Sequence, residues 1–203
     1  MAGILLTGFS AFPGAPVNPT GTLVEGLAGI AARRGLDVAT AILPTEYAAV
    51  DACLPHLLAE PKVILHFGLA RKARAMRLER RATNHLATWR PDAAGRTPPG
   101  PAIEPRGPQA RPATLPVAPA LARLRQRGLD ATASIDAGDY LCNYLLYRSL
   151  ALTREQGRIV GFVHIPLPAE LRASRRGNAP AMATMISAAA VVLDVALAAA
   201  KAA

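Results

Sequence analysis

The chain has 203 residues, room for one domain with a sizeable core, and its 51% hydrophobic content excludes a disordered polymer. Aromatics are only 4%, so Ala, Leu, Val and Ile must fill the interior. The net charge of +9 is densest in RKARAMRLERR, 71–81, which lacks interleaved aromatics and any helix-turn-helix; this predicts a solvated surface and no specific nucleic-acid partner.

In chain order, GILLTG at 3–8 reads as a buried strand ending in glycine. A Gly/Pro-rich loop follows, then TLVEGLAGIAARRG at 22–35, helical in its apolar spacing and closed by Gly35. LDVATAILP at 36–44 is a second strand, and TEYAAVDACLPHLLAE at 45–60 a helix disturbed at Pro55. KVILHFGL at 62–69 is apolar on both faces, as central parallel strands are. From Pro91 to Pro119 lie nine of the 18 prolines, which predicts a long, mobile surface loop at about 91–119 that flanks the substrate entrance.

The alternation then resumes. PALARLRQRG is a helix, DATASIDAG a strand, DYLCNYLLYRSLALT a helix and RIVGFVHIPLP a strand. The closing PAMATMISAAAVVLDVALAAA is long and apolar, but it is rich in Ala and contains Asp194. It reads as a helix docked through Met182, Ile186, Leu193 and Leu197 rather than as a membrane span. The whole predicts one α/β domain over 1–203, an α/β/α sandwich around a twisted, mostly parallel sheet. The opening residues carry no basic n-region or cleavage site, which predicts a cytoplasmic protein. Cys53 and Cys142 make no disulfide framework, and four histidines without CxxC or HxxxH spacing make no zinc site.

Ligands of open α/β sheets sit beyond the carboxyl ends of the strands, and three groups map there. Cys142 lies in the first turn of its helix; with Asp139 as N-cap it occupies N3, where the macrodipole favours a thiolate. Equally open is a small inert core residue. His164 ends a strand, where it serves either as a general base or as a hydrogen-bonded structural residue. Glu79 either orients that histidine or simply pairs with Arg77, Arg80 and Arg81. His66, inside the third strand, is a further candidate, whereas His56 and His85 read as structural or surface residues.

The residues also resemble a known family along nearly the whole chain. LLTGFSAFPGAPVNPT at 5–20 is similar to the GFxxFxG loop and Asn-Pro-Thr that open pyroglutamyl peptidase I. ILPTEY, GLA, LERRATN and RPDAAG follow in family order, and AGDYLCNYLLY and GFVHIPLP match its two most specific motifs. The resemblance implies removal of N-terminal pyroglutamyl groups from peptides, with Cys142 as nucleophile, His164 as its base and Glu79 as the orienting acid. Phe9 and Phe12 would line a slot for the lactam ring, with Asn18 steadying the opening loop. It further implies no metal or organic cofactor and a homo-oligomer, dimer or tetramer.

Three departures stand out: Phe-Ser-Ala-Phe-Pro-Gly replaces Phe-Glu-Pro-Phe-Gly-Gly, Ala73 stands where the family has Arg, and the Arg before Pro-Asp falls on Trp89 in an ungapped count. Either Arg90, one place later, takes that Arg's part, or oxyanion support is weaker. Two rival readings remain: the same thiol chemistry on another small cyclic acyl group, and a non-catalytic basic binding module.

Overall fold

The computed structural model describes residues 3–12, 16–172 and 179–202. In chain order its main elements are β1 (Ile4–Phe9), α1 (Thr20–Arg33), β2 (Val38–Leu43), α2 (Tyr47–Leu57), β3 (Val63–Leu69), β4 (Met76–Glu79) and β5 (Arg81–Thr83). Then come β6 (Ala110–Pro112), α3 (Val117–Gln126), β7 (Ala131–Ser134), α4 (Leu141–Thr153), β8 (Ile159–Ile165) and α5 (Met182–Ala202). The main sheet has the order β2-β1-β3-β8-β4-β7, and β5 pairs with β6 apart from it. All neighbours in the main sheet are parallel except β4 and β8.

Period-two alternation sorts the strand side chains onto two faces. Ile4 and Leu6 join Val63, Leu65, Met76 and Leu78 beneath α1, α3 and α5, while Leu5, Ile64, Val160 and Phe162 pack under α2 and α4. The α/β/α sandwich and the mostly parallel sheet therefore match expectation. Helix α5 is long and apolar enough to cross a bilayer, yet Met185, Ala188, Ala189, Val192 and Ala196 are buried on the sheet and neighbouring helices. The docking stripe is centred on these residues; of the four expected, Leu193 is buried and Met182, Ile186 and Leu197 pack at its edge. Asp194 explains the charge inside this helix: it meets Arg34, at the end of α1, at 2.6 Å.

Two expectations need correction. The basic run 71–81 is not simply a solvated surface, because it supplies β4 and the start of β5. Its alternation hides the strand: Met76 and Leu78 face the core, while Arg77 and Glu79 turn to the other side. The proline-rich run is not structureless either. Ala110–Pro112 adds a strand to β5, and α3 begins at Val117 with Pro119 in its first turn, where a missing N–H does no harm. Asn84 binds the run through Glu104 N and O at 2.8 and 2.7 Å, and Tyr147 donates to the Pro108 carbonyl at 2.9 Å.

Candidate active site

Cys142 arrives on α4, the helix after β7. Gly138, at φ +84°, makes the turn between them, and Asp136 Oδ1 accepts its N–H at 2.9 Å. The N-cap is Tyr140 rather than Asp139, and no side chain caps the helix. Cys142 is therefore the second helical residue, one position earlier than expected, among N–H groups that a helix start leaves open. Its neighbour Asn143 is fully buried: Oδ1 accepts Thr83 N–H at 2.8 Å, and Nδ2 donates to the Thr83 and His85 carbonyls. That clasp holds the start of α4 against β5, so the Cys-Asn pair combines a thiol with the anchor of its helix.

His164 stands on β8 and is 7% exposed; Glu79 on β4 is wholly buried. Their side chains meet, Nδ1 to Oε1, at 2.8 Å. Not all three groups come from carboxyl ends that point the same way, since β4 runs against β8. Register pairs Arg77 with His164, so Glu79, two residues further along, reaches the ring diagonally on the same face. The thiol completes the cluster. Gly68 is His164's neighbour across the β3–β8 pair, and a Cβ on Gly68 would lie 2.8 Å from Cys142 Sγ and 2.7 Å from Phe162 Cζ. Burial disfavours the imidazolium, but the charge and hydrogen bond of Cys142, with those of Glu79, outweigh it and push the His164 pKa up to about 9.

The absence of a side chain at Gly68 is thus what leaves room for the sulfur. Gly68→Ala is expected to displace the thiol or the Phe162 ring and cut turnover by about 100-fold while the chain still folds. Steady-state kinetics beside a thermal melt checks this.

Cys142 and His164 open into a pocket of about 160 Å³. Phe9, Phe12, Asn18, Thr45, Leu69 and Arg90 form its other walls, with residues 137–141 of the β7–α4 turn. Asn18 donates to the Ser10 carbonyl at 3.1 Å and accepts from the Thr20 hydroxyl at 2.8 Å, which ties the opening loop to α1. Arg90 lies in the wall, its guanidinium 3.9 Å from the Tyr140 ring centre, whereas Trp89 is 78% exposed. Position 90, not 89, therefore brings the arginine to the pocket. Buried Asp92 anchors this stretch, accepting N–H groups from Tyr47, Ala94 and Arg96. None of residues 91–119 lines the pocket; the run backs its wall instead, the Pro91 carbonyl accepting from the Tyr140 hydroxyl and the Ala93 N–H donating to the Thr45 carbonyl, each at 2.9 Å.

Sequence reasoning missed Thr45, although it lies inside the ILPTEY stretch. Its Oγ1 is buried in the pocket wall without a hydrogen-bond partner among the described residues. His66 is not part of the site. It is fully buried between the Thr7 and Ser149 hydroxyls, at 2.7 and 2.9 Å, and burial lowers its pKa to about 3. It is a neutral core histidine. His56 and His85 are exposed. Among the described residues no cluster of His, Cys, Asp or Glu could hold a metal ion.

The sequence model of the pyroglutamyl peptidase family matches residues 2–202. The chain belongs to the pyroglutamyl peptidase family. This makes it an enzyme of the cysteine-peptidase class of hydrolases. A pyrrolidone-carboxylate peptidase of Deinococcus radiodurans is 39% identical over 171 residues, 82% of this chain and 78% of its own length. The crystal structure of pyrrolidone carboxyl peptidase from Thermus thermophilus superposes with a TM-score of 0.81 at 34% identity, covering 94% of this chain and 98% of that one. The pyrrolidone carboxyl peptidase of Pyrococcus furiosus gives a TM-score of 0.87 at 30% identity, covering 97% and 99%.

Of the departures in the opening loop, that at Pro13 lies outside the described residues, and those at Ser10 and Ala11 fall beside main-chain ties. Ser10 uses main-chain atoms, its N–H to the Leu43 carbonyl at 2.9 Å and its carbonyl to Asn18. The side chains at Ser10 and Ala11 are free to differ because the loop is held through the peptide groups. Ala73 likewise contributes its backbone, donating to the Ala70 carbonyl at 2.9 Å.

Proposed function

We propose that this chain hydrolyses the N-terminal pyroglutamyl group of peptides, with Cys142 as nucleophile, His164 as general acid and base, and Glu79 as the acid that orients His164. The observation that carries the reading is the meeting of groups from α4, β8 and β4 beside one small pocket walled by Phe9 and Phe12. A space of about 150 Å³ takes a single ring such as benzene, so a cavity of this size suits one five-membered lactam. The lactam has no charged amine but keeps a polar amide edge, and the pocket correspondingly sets the aromatic walls Phe9 and Phe12 beside polar side chains, Asn18, Thr45 and Arg90 among them. Thr45 Oγ1 and Arg90 are suited to meet its amide edge and carbonyl.

The thiolate attacks the pyroglutamyl carbonyl carbon, and the electron pair moves to oxygen, which faces the open N–H groups of α4. Nδ1 of His164 is engaged with Glu79, leaving Nε2 to protonate the departing amine as the C–N bond breaks. The neutral ring then takes a proton from water, whose oxygen attacks the thioester. The C–S bond breaks, pyroglutamate leaves, and thiolate and imidazolium are restored.

Self-association into a dimer or tetramer, a cytoplasmic location suited to two free cysteines, and the absence of metal and organic cofactor belong to the same reading. Against a basic binding module, Arg77 and Arg81 already donate within the chain, to Ser134 Oγ and to the Asp136 and Ile135 carbonyls. A fluorogenic pyroglutamyl amide tests the function, compared with prolyl, alanyl and larger-lactam amides. Rapid release from the pyroglutamyl compound alone is expected. A preference for another small cyclic acyl group would replace the substrate while keeping the thiol chemistry.

A further inference from the structure

Strand β4 contributes one charged side chain that this chemistry does not use. Arg77 lies directly across from His164, on the same face of the sheet. Its Nη2 donates to Ser134 Oγ and to the Asp136 carbonyl, each at 2.7 Å. The same nitrogen stands 3.6 Å from Glu79 Oε1, the oxygen that meets His164. Glu79 is wholly buried and its Oε2 has no hydrogen-bond partner among the described residues. A carboxylate in that position keeps its charge only in cationic company. His164 is a cation that titrates; Arg77 is one that does not.

We infer that Arg77 is a positioning residue for the reactive pair: its permanent charge beside Glu79 sets the pH range in which Cys142 and His164 exist as thiolate and imidazolium. The inference rests on the roles proposed for those two residues and not on the identity of the acyl group. The groups facing His164 are Cys142 from α4 and Glu79 and Arg77 from β4, with Arg90, Asp139 and Tyr140 in the shared pocket. Arg77's charge opposes the imidazolium and favours the thiolate. Its removal therefore moves both ionisations to higher pH. With a side chain 35% exposed, screening holds the effect to about half to one pH unit.

Charge and tether are separable by mutation. Arg77→Gln removes the charge, and Arg77→Met serves as a second neutral variant should circular dichroism show the first unfolded. Arg77→Lys keeps the charge without the guanidinium fork, and Ser134→Ala removes one anchor only. The readouts are the pH dependence of iodoacetamide alkylation at Cys142 and the basic limb of amide hydrolysis. The neutral variants are expected to show both limbs about half to one unit higher, with Arg77→Lys and Ser134→Ala like the unaltered chain. Unshifted neutral variants, or equal shifts in Arg77→Lys or Ser134→Ala, would overturn the inference. Alkylation needs no substrate, so a chain that alkylates in this way but cleaves no pyroglutamyl amide would sink the substrate reading and still report on Arg77.

Discussion

Cys142→Ala is expected to lower kcat for a pyroglutamyl amide by at least about 10⁴-fold while KM changes little. Among the described residues, the sulfur is the one group in the pocket that combines nucleophilicity with the company of the His164 imidazole. Water in its place would still meet the open amides of α4, which accounts for a small residual rate. Folding is expected to survive, because Asn143 rather than Cys142 clasps the helix start to β5. Cys53 provides an internal control. Burial raises its thiol pKa, so iodoacetamide should label Cys142 first. Equal labelling rates, with hydrolysis unaffected by Cys142→Ala, would remove this cysteine from the mechanism.

Glu79→Gln is expected to cost about 10²- to 10⁴-fold in kcat and to narrow the pH profile. No water reaches this carboxylate, which is 0% exposed, so nothing replaces the lost charge. Burial alone would lower the His164 pKa; Cys142 and Glu79 together raise it to about 9. Hydrolysis by the unaltered chain should therefore fall as the imidazolium is lost near pH 9. Without the carboxylate the imidazolium deprotonates sooner, and that limb moves to lower pH. The same linkage bears on stability: the raised pKa contributes stability present below the ordinary value of 6.5 and lost as pH rises through about 9. Chemical denaturation across that window should show a shallower loss in Glu79→Gln. An unchanged basic limb would detach Glu79 from His164's function.

Local pattern made much of the fold legible. Alternating apolar runs and helical spacing disclosed β1, β2, β3 and β8 and the five main helices, because each buries one face or both against a layer. β4 was hidden by its two charges, Arg77 and Glu79, inside a basic stretch. Only Met76 and Leu78 signal a buried face, and four residues with two charges read as surface. The antiparallel course of that strand was equally invisible, since no short-range feature distinguishes which way a strand joins a mixed sheet.

The site was less legible from chemistry than from motif likeness. Glu79, taken alone, had a sufficient explanation in its neighbouring arginines; its partner is 85 residues away. Trp89 and Arg90 could be told apart only once the Asp92 anchor and the Tyr140 stack were seen. Beyond its place in the ILPTEY stretch, Thr45 carries no chemical signal, because an unpaired hydroxyl becomes informative only when burial is known. His66 gives the converse lesson, a histidine on a central strand that two hydroxyls satisfy completely.

The most direct test of the account is chemical quenching during turnover. The protein is mixed with a pyroglutamyl peptide, stopped in acid within the first turnovers, and its intact and peptide masses are measured. The account predicts a gain of one pyroglutamyl group, carried as a thioester on the peptide containing Cys142 and absent from Cys142→Ala. Hydrolysis of that peptide with the acyl group on another residue, or undiminished hydrolysis by Cys142→Ala, would contradict it.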